Sequence, residues 1–490
     1  MRRILVCITS PIHVRNFIDS GVFPYLSNEN QLDLAITGNI SLTSLQEKYF
    51  NEIHLLSAGD DSLSIETVFK IYSMRYKKLS KSFEYRIWRQ NPPLYFLIFR
   101  NFYKRFKRID RNLEGMGNRP PVITRLNTSN SKESVKRTRQ LAEKVKGRLS
   151  HILFRCYASK AFFPLFRYYY QSRYKPSPEV SDLLANNEYD LIVYVSAAYE
   201  RMAIDLAILG QEFSTKTLFL IDNWDNLSSK TVLWKKPDFI GTWGQQSSEH
   251  AVSIQGMEKQ NVVNLGCARF DHFFKLRDQT FDSYFSFRYV LFLGTALEFD
   301  EFAVLEVLNS LTKSAASTIF NFKIIYRPHP WRMGPAYSNY SQLENVLMDP
   351  MLEPRYLKGE FIPESSMPDL NYFPGLISNA SLIVGGLTSM LLESCIFGKN
   401  IIALAHKEEF SVTSPHRVWK SYRHFDELDR FTNIKLVQNL DDLKPAIDIF
   451  MVSGAKSQSE IDSTLEYFVH FDVTSYQERL QSLIQEICRE

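Results

Sequence analysis

Residues 381–404 read SLIVGGLTSMLLESCIFGKNIIAL. With Ala380, the apolar run closing on Gly385-Gly386 has the length and composition of a buried strand, ASLIVGG (380–386). Thr388 and Ser389 stand where the next helix begins, predicted over Ser389–Phe397, and NIIAL (400–404) supplies a second apolar run. Short apolar runs flanking a helix-length segment mark a crossover between parallel strands buried on both faces. The same alternation continues outward. YVLFLG (289–294), a helix over Glu301–Leu311 and FKIIYR (322–327) precede this unit; NIKLVQN (433–439) and an amphipathic helix in TSYQERLQSLIQEICRE (474–490) follow it.

The earlier half repeats the pattern. RILVCIT (3–9), a helix within Val14–Leu26 and LDLAITG (32–38) open it. YDLIVYV (189–195), a helix over Ala198–Leu209, TLFLIDN (217–223), PDFIGTW (237–243), a helix near Gln246–Ile254 and VVNLG (262–266) complete it. FDHFFKLRDQTFDSYFSFR (270–288) reads as a connector. A chain of 490 residues exceeds what one core usually holds. The expected fold class is therefore α/β, with two Rossmann-like, doubly wound domains facing across a cleft. Residues 1–275 form the first, 276–288 a linker, 289–465 the second, and 466–490 a C-terminal helical segment. Residues 62–175 are a long, mostly helical insertion in the first domain, broken at Asn91-Pro92-Pro93, at GMGNRPP (115–121) and at NTSNSK (127–132). No fixed-period repeat occurs, and TSPIHVR takes the place of a glycine-rich dinucleotide fingerprint after strand one.

Composition narrows the class. The chain is 44% hydrophobic and 23% charged, which is globular. Its five cysteines are scattered without metal-ligand spacing and read as reduced, cytoplasmic residues. The start, MRRILVCITSPIH, lacks a small-residue cleavage site and reads as the first buried strand rather than a leader. No run is long and apolar enough to span a bilayer. The net charge of +4 hides an asymmetry: residues 1–190 carry net +14 and residues 191–490 net −10. Between Lys70 and Arg111, 13 Lys/Arg face only Glu84 and Asp110 and are interleaved with Tyr85, Trp88, Tyr95, Phe96, Phe99, Phe102 and Phe106. A second such stretch is HILFRCYASKAFFPLFRYYYQSRYK (151–175). Two readings stand side by side: helices packed through their aromatic face, or a reversible contact with an anionic membrane surface. A nucleic-acid partner is not expected, because no recognition motif accompanies the charge.

Four loops carry residues suited to chemistry. In IIYRPHPWR (324–332), prolines fix the backbone around His329, with Arg327 and Arg332 beside it at a strand's C-terminal end, where ligands bind in open α/β sheets. Gly385, Gly386, Thr388 and Ser389 form a candidate anion site, with Glu393 one turn on as an acceptor for ribose hydroxyls. Gly294-Thr295 closes strand YVLFLG and supplies a phosphate donor, while Glu298, Asp300 and Glu301 repel phosphate and so cap or meet sugar. In the first domain, His13 is a candidate general base and Arg15 a ligand for an acidic group. Asp222, Asn223, Trp224, Asp225 and Asn226 offer sugar-recognising hydroxyl partners and a ring face, with Tyr199, Glu200 and Arg201 lining the same cleft. An Asx-rich turn is the structural alternative for that loop. HExxH, acidic DxD and His/Cys clusters are absent, so no metal and no other cofactor is expected. GLTSM (386–390) is not a serine nucleophile elbow.

The order strand–SPIH, strand–GT, strand–RPHP and GGLTSMLLESCIFGKNIIAL resembles GT-B glycosyltransferases, most of all those of bacterial surface-polysaccharide assembly (capsule, lipopolysaccharide). The RPHP turn with the later TS is similar to the HP and Ser/Thr elements of bacterial sialyltransferases and Kdo transferases. Teichoic-acid polyol-phosphate transferases carry a related pair, and VVNLGCARFD (262–271) is similar to a GxxRFD passage of such chains. The resemblance covers roughly 1–50 and 185–450. It implies a GT-B-like fold and a metal-independent transferase moving a sugar from a nucleotide sugar to a growing surface polysaccharide or lipid-linked glycan. Gly294, Thr295, Arg327, His329, Gly385, Gly386, Thr388, Ser389 and Glu393 would hold the donor nucleotide, and His13, Arg327 and His329 would be catalytic. Arg15, Glu200 and Asp222 through Asn226 would face the acceptor. HP-type sites point to a CMP-linked acidic sugar, and the setting is cytoplasmic, peripheral on the inner face of the plasma membrane. The RPHPW and NLSSK loops depart from the polyol-phosphate pattern. Nucleotide-sugar 2-epimerisation, polyol-phosphate transfer and a non-enzymatic nucleotide-sugar-binding scaffold remain open alternatives.

Overall fold

The computed structural model describes residues 1–490 except 39, 58–64, 91, 94–95, 97–98, 100–149, 197–199, 314–320, 331–339, 341, 353–369, 410, 453–455 and 490. Two sheets organise it. The first comprises β1 (Arg2–Ile8), β2 (Asn30–Thr37), β3 (Glu52–Leu56), β4 (Leu191–Ser196), β5 (Lys216–Ile221), β6 (Phe239–Thr242) and β7 (Val262–Asn264), in the order β3-β2-β1-β4-β5-β6-β7. The second comprises β8 (Tyr289–Leu293), β9 (Lys323–Arg327), β10 (Val346–Met348), β11 (Leu382–Gly385), β12 (Ile401–Leu404) and β13 (Ile434–Val437), in the order β10-β9-β8-β11-β12-β13. All pairings are parallel; Ile4 registers with Leu32 and Leu191, and Leu291 with Ile325 and Ile383. The central strands are apolar on both faces because helices cover both.

The expected pair of doubly wound α/β units is thus present. One apolar cluster runs through both halves, joining Leu5, Ile192 and Phe219 to Leu291, Ile383 and Phe468. The outer face of each sheet has its own cluster. In each sheet the strand order reverses beside the first strand, β1 against β4 and β8 against β11. Loops diverge there and open a crevice at the carboxyl ends. Residues after Ile8 and Ser196 flank the first crevice; Gly294-Thr295 and the loop after Gly385 flank the second.

Several sequence expectations shift. The helix expected across Val14–Leu26 is two pieces, π-helical Val14–Asp19 and α-helical Val22–Leu26, parted at Gly21 with φ of +86°. The helix expected at Ala198–Leu209 runs Arg201–Glu212. β3 and β10 escaped notice: both are sheet edges, the first largely exposed and the second only three residues long. The connector at 270–288 begins inside a helix, Ala268–Leu276, that buries Phe270 and Phe273. The breaks expected at 115–121 and 127–132 lie outside the described residues.

The chain's end ties the halves together. Helix Gln458–Phe468 puts Ile461, Leu465 and Phe468 into the shared core. The last helix, Tyr476–Ile487, starts at a Ser475/Glu478 capping box and packs Tyr476, Leu480 and Ile484 on the outer face of the first sheet. Gln481 accepts from the Asn30 side chain there at 2.8 Å.

The basic–aromatic segment, where described up to residue 90, is packed. Helix Ile65–Tyr76 packs Val68, Ile71 and Tyr72 against Phe163 and Tyr170, and helix Lys81–Gln90 reaches the second half. Tyr85 donates to the Val412 carbonyl at 2.8 Å and meets Tyr422 edge-on at 5.2 Å; Arg417 lies 5.1 Å from the Trp88 ring. Arg86 donates to the Ser229 carbonyl and Lys81 pairs with Asp426. Tyr85 and the half-buried Trp88 are therefore engaged in packing.

His424 sits in the same junction, its Nδ1 3.2 Å from Ser228 Oγ and its ring against Trp224 and Phe425. Burial is the main cause pulling its pKa from 6.5 down to about 4. A histidine whose folded value is depressed is protonated first in the unfolded chain. Its effect on stability is absent above about pH 7, and stability falls as pH drops from about 6.5 to about 4, by up to ~1.4 kcal/mol per pH unit. His250, buried and pulled down to about 3, acts in the same direction, so urea denaturation across this window should show a slope that His424→Gln makes shallower; an unchanged slope would place the titrating group elsewhere.

Candidate functional site

At the first crevice His13 is fully buried. The Thr9 N–H donates to its Nδ1 at 3.3 Å, so in the neutral ring Nε2 carries the proton, facing Asp222 Oδ2 at 3.8 Å. Asp222 also accepts from Asn16 at 2.9 Å and Asn223 at 3.0 Å. The Nδ1 lone pair is thus engaged by the backbone, and Nε2 makes no hydrogen bond among the described residues.

The rest of that loop turns away from the cleft. Trp224 is 3% exposed, enclosed by His424, Phe425 and Phe468, with Nε1 donating to Gln246 at 2.8 Å. It has no free face for a sugar, since burying an indole is worth more than leaving it as a platform. Asp225 pairs with Lys230 at 3.1 Å; burial raises its carboxyl, but Lys230 and His424 outweigh this and hold it below the usual range. Asn226 is buried and donates to the Ser196 carbonyl at 2.8 Å. Glu200 accepts from Ser196 Oγ and helps line a small open pocket of about 30 Å³ with Phe69, Tyr72, Thr231 and Trp234. Tyr72 Oη and Trp234 Nε1 are buried there without a hydrogen-bond partner among the described residues. Tyr199 lies outside those residues.

At the second crevice the glycines bring backbone against backbone. A Cβ on Gly294 would stand 3.0 Å from His329 N and Pro328 Cα, and one on Gly385 2.7 Å from Leu293 O. Gly386 is similarly close to Thr295 and Phe299. Thr295 is not presented as a phosphate donor: its hydroxyl donates to Leu297 O at 2.7 Å and its N–H to Glu301 at 3.1 Å. Glu301 also accepts from Tyr326 at 2.7 Å, so it caps the turn, and Asp300 caps the following helix. His329 is half-buried beside Gly294, and Arg332 lies outside the described residues. Thr388 and Ser389 are half-buried at the start of helix Met390–Ile396, with no hydrogen-bond partner for either hydroxyl among the described residues.

Between the crevices runs a chain of buried charges. Arg269 Nη2 from the first half meets Glu393 Oε1 from the second at 3.2 Å, both nearly buried. The guanidinium packs 4.5 Å from the Phe270 ring and 5.2 Å from Trp243, and its charge is favoured by Glu393 and Asp222 despite burial. Arg327 lies 4.4 Å from the Phe373 ring, which Arg15 approaches at 5.5 Å. Arg327 Nε stands 3.9 Å from Asp349 Oδ2, an ion pair too long for a hydrogen bond, and Nη1 contacts Met390 Sδ at 3.1 Å. Burial works against both charges, pulling Arg327 down and pushing the Asp349 carboxyl up. Arg269, Asp349 and Phe373 were not among the expected site residues. Arg269 stands in the VVNLGCARFD passage, a signal available in the sequence, whereas Asp349 follows the unrecognised strand β10.

Among the described residues, Asp33, Glu52 and His54 have metal-like spacing. Arg3 fills the position, with guanidinium nitrogens 2.7 Å from Asp33 and 3.6 Å from Glu52, so the group does not fit a cation. No helix among the described residues is long and apolar enough to cross a membrane.

No family model and no curated protein matches the chain. Solved structures align over its whole length. The UDP-GlcNAc 2-epimerase of Methanocaldococcus jannaschii is 11% identical, covering 99% of each chain at a TM-score of 0.47. That of Neisseria meningitidis bound to UDP-GlcNAc is 10% identical, 99% of each chain, at 0.46. Arabidopsis thaliana UGT89C1 complexed with UDP is 10% identical, 100% of each chain, at 0.46. Likeness at this level says nothing about the reaction or the substrate.

The Arg269–Glu393 pair is expected to hold the halves together. Arg269→Met and Glu393→Leu should each cost about 3–5 kcal/mol by stranding a buried charge, and the double variant should recover at least half of the summed loss. Chemical denaturation of the four proteins checks this; additive losses would show the two residues are uncoupled.

Proposed function

We propose that the protein is a glycosyltransferase that takes a sugar from a nucleotide sugar held at the second crevice and passes it to an acceptor at the first. The supporting observation is the charge chain Asp222–Arg269–Glu393–Arg327–Asp349, buried where the carboxyl ends of both sheets meet. Arg327 has an anion at 3.9 Å but no hydrogen-bonded one. A nucleotide's phosphate would supply charge-assisted bonds to Arg327 and, on displacing Glu393, to Arg269. Thr388 and Ser389 would add hydroxyl donors, and Glu393 would turn to the ribose. Fixed guanidinium charge, aimed at the departing nucleotide in a dry site, is the electrostatic help such a transfer needs. The acceptor, a surface polysaccharide or lipid-linked glycan, would meet the first crevice beside Glu200.

Nucleotide-sugar 2-epimerisation is the second reading. It is favoured by the buried His13–Asp222 pair, a donor and an acceptor of protons in direct opposition.

The full-length protein should be incubated with UDP-linked sugars, the class named in the solved structures above, and with CMP-linked ones. Nucleotide release is followed with and without lipid-linked glycan, and sugar stereochemistry by NMR. Acceptor-dependent release supports transfer; isomerised sugar without acceptor moves the assignment to epimerisation. Arg327→Ala should lower turnover roughly ten- to hundredfold with the fold retained. Absence of both binding and turnover with every nucleotide sugar would overturn the nucleotide-sugar reading.

A further inference from the structure

The second basic–aromatic stretch contrasts with the first. Helix Phe163–Arg173 packs inward through Phe163, Phe166 and Tyr170, spaced for one helical face. Phe163 meets Tyr72 edge-on at 5.1 Å and Tyr170 meets Trp234 at 5.0 Å. A surface helix anchored this way ordinarily turns polar side chains outward. Here Leu165, Tyr168 and Tyr169 point out, Tyr168 at 75% exposure. Helical residues 150–157 adjoin it through the Tyr157–Phe166 stack at 5.5 Å and add exposed Ile152 and Leu153, with Phe162 exposed in the turn between. Residues 151–175 carry Arg155, Lys160, Arg167, Arg173 and Lys175, all exposed, and no Asp or Glu. None of the five pairs with a carboxylate among the described residues.

We infer that this face, helical residues 150–157 with helix Phe163–Arg173, is a docking surface for an anionic lipid bilayer. Charge complementarity selects the occupant. Unpaired cations of one sign surround tyrosines and aliphatic side chains, so the rings enter the interfacial layer while guanidinium and ammonium tips reach lipid phosphates. The attachment is peripheral, because no described helix crosses a membrane. Orientation follows from the packing. Tyr170 and Tyr174 on the inner side touch Trp234, a wall of the cavity beside Glu200, so a docked face brings that cavity to the bilayer. The inference stands independently of the proposed reaction, since binding is read without turnover.

Full-length protein is co-sedimented with phosphatidylcholine vesicles, alone or containing phosphatidylglycerol, at low and high salt. Binding to the anionic vesicles is expected to exceed binding to neutral ones at least tenfold and to fall at high salt. The variant Arg155→Glu/Lys160→Glu/Arg167→Glu/Arg173→Glu should lose at least tenfold of it. Leu165→Ser/Tyr168→Ser/Tyr169→Ser should lose binding with an unchanged melting temperature, which keeps the result separate from misfolding. Equal binding to both vesicle types, or retention of binding by both variants, overturns the inference. So does vesicle-independent self-association that these variants abolish in sedimentation velocity, which would assign the face to a second copy of the chain.

Discussion

Burying charge between two sheets is the constraint on which the rest of the structure depends. Arg269 and Glu393 come from opposite halves and leave water together. Desolvation of each ion costs several kcal/mol, so the arrangement persists only while both halves hold their crevices in register. Arg327 and Asp349 repeat the problem within the second half with a poorer solution, 3.9 Å apart and both disfavoured by burial. A site built this way is stable when empty yet has charge to offer an anion that brings better geometry.

Three devices maintain that register. The inner faces of the sheets share one apolar cluster instead of closing separately. The C-terminal segment crosses back, so helix Tyr476–Ile487, last in sequence, completes the outer core of the first sheet. Helix Lys81–Gln90 bridges from the first half onto residues 412–426 of the second. Motion of one half against the other has to work against all three. At Gly294, beside Pro328 and His329, and at Gly385, beside Leu293, the close backbone approach leaves no room for a side chain.

Similar compositions met different fates in the two basic–aromatic stretches. Tyr85 and Trp88 found partners in Tyr422 and Arg417, and their neighbouring cations found carbonyls and Asp426. Tyr168 and Leu165 stayed exposed, and their neighbouring cations meet no carboxylate among the described residues. Aromatic residues interleaved with Lys and Arg record amphipathic capacity; which surface takes it up depends on what the fold places opposite.

The sequence by itself determined the two parallel sheets, because strands buried on both faces must be continuous apolar runs, and RILVCIT, YDLIVYV, YVLFLG and ASLIVGG are such runs. It also located the loops at both strand-order reversals, since glycine, proline and polar residues crowd the ends of those runs. It missed β3 and β10, whose short or exposed edges carry little pattern, and with β10 it missed Asp349. Only the tertiary structure decided what each loop side chain does. Trp224 became core because Phe425 and Phe468 enclose it, and the Nδ1 lone pair of His13 is taken by the Thr9 N–H. Arg269 became central because a carboxylate 124 residues away lies 3.2 Å from it. Local pattern fixes which residues prefer burial, but hydrogen-bond and charge partners are chosen across the sheets, where separation along the chain has no bearing on distance.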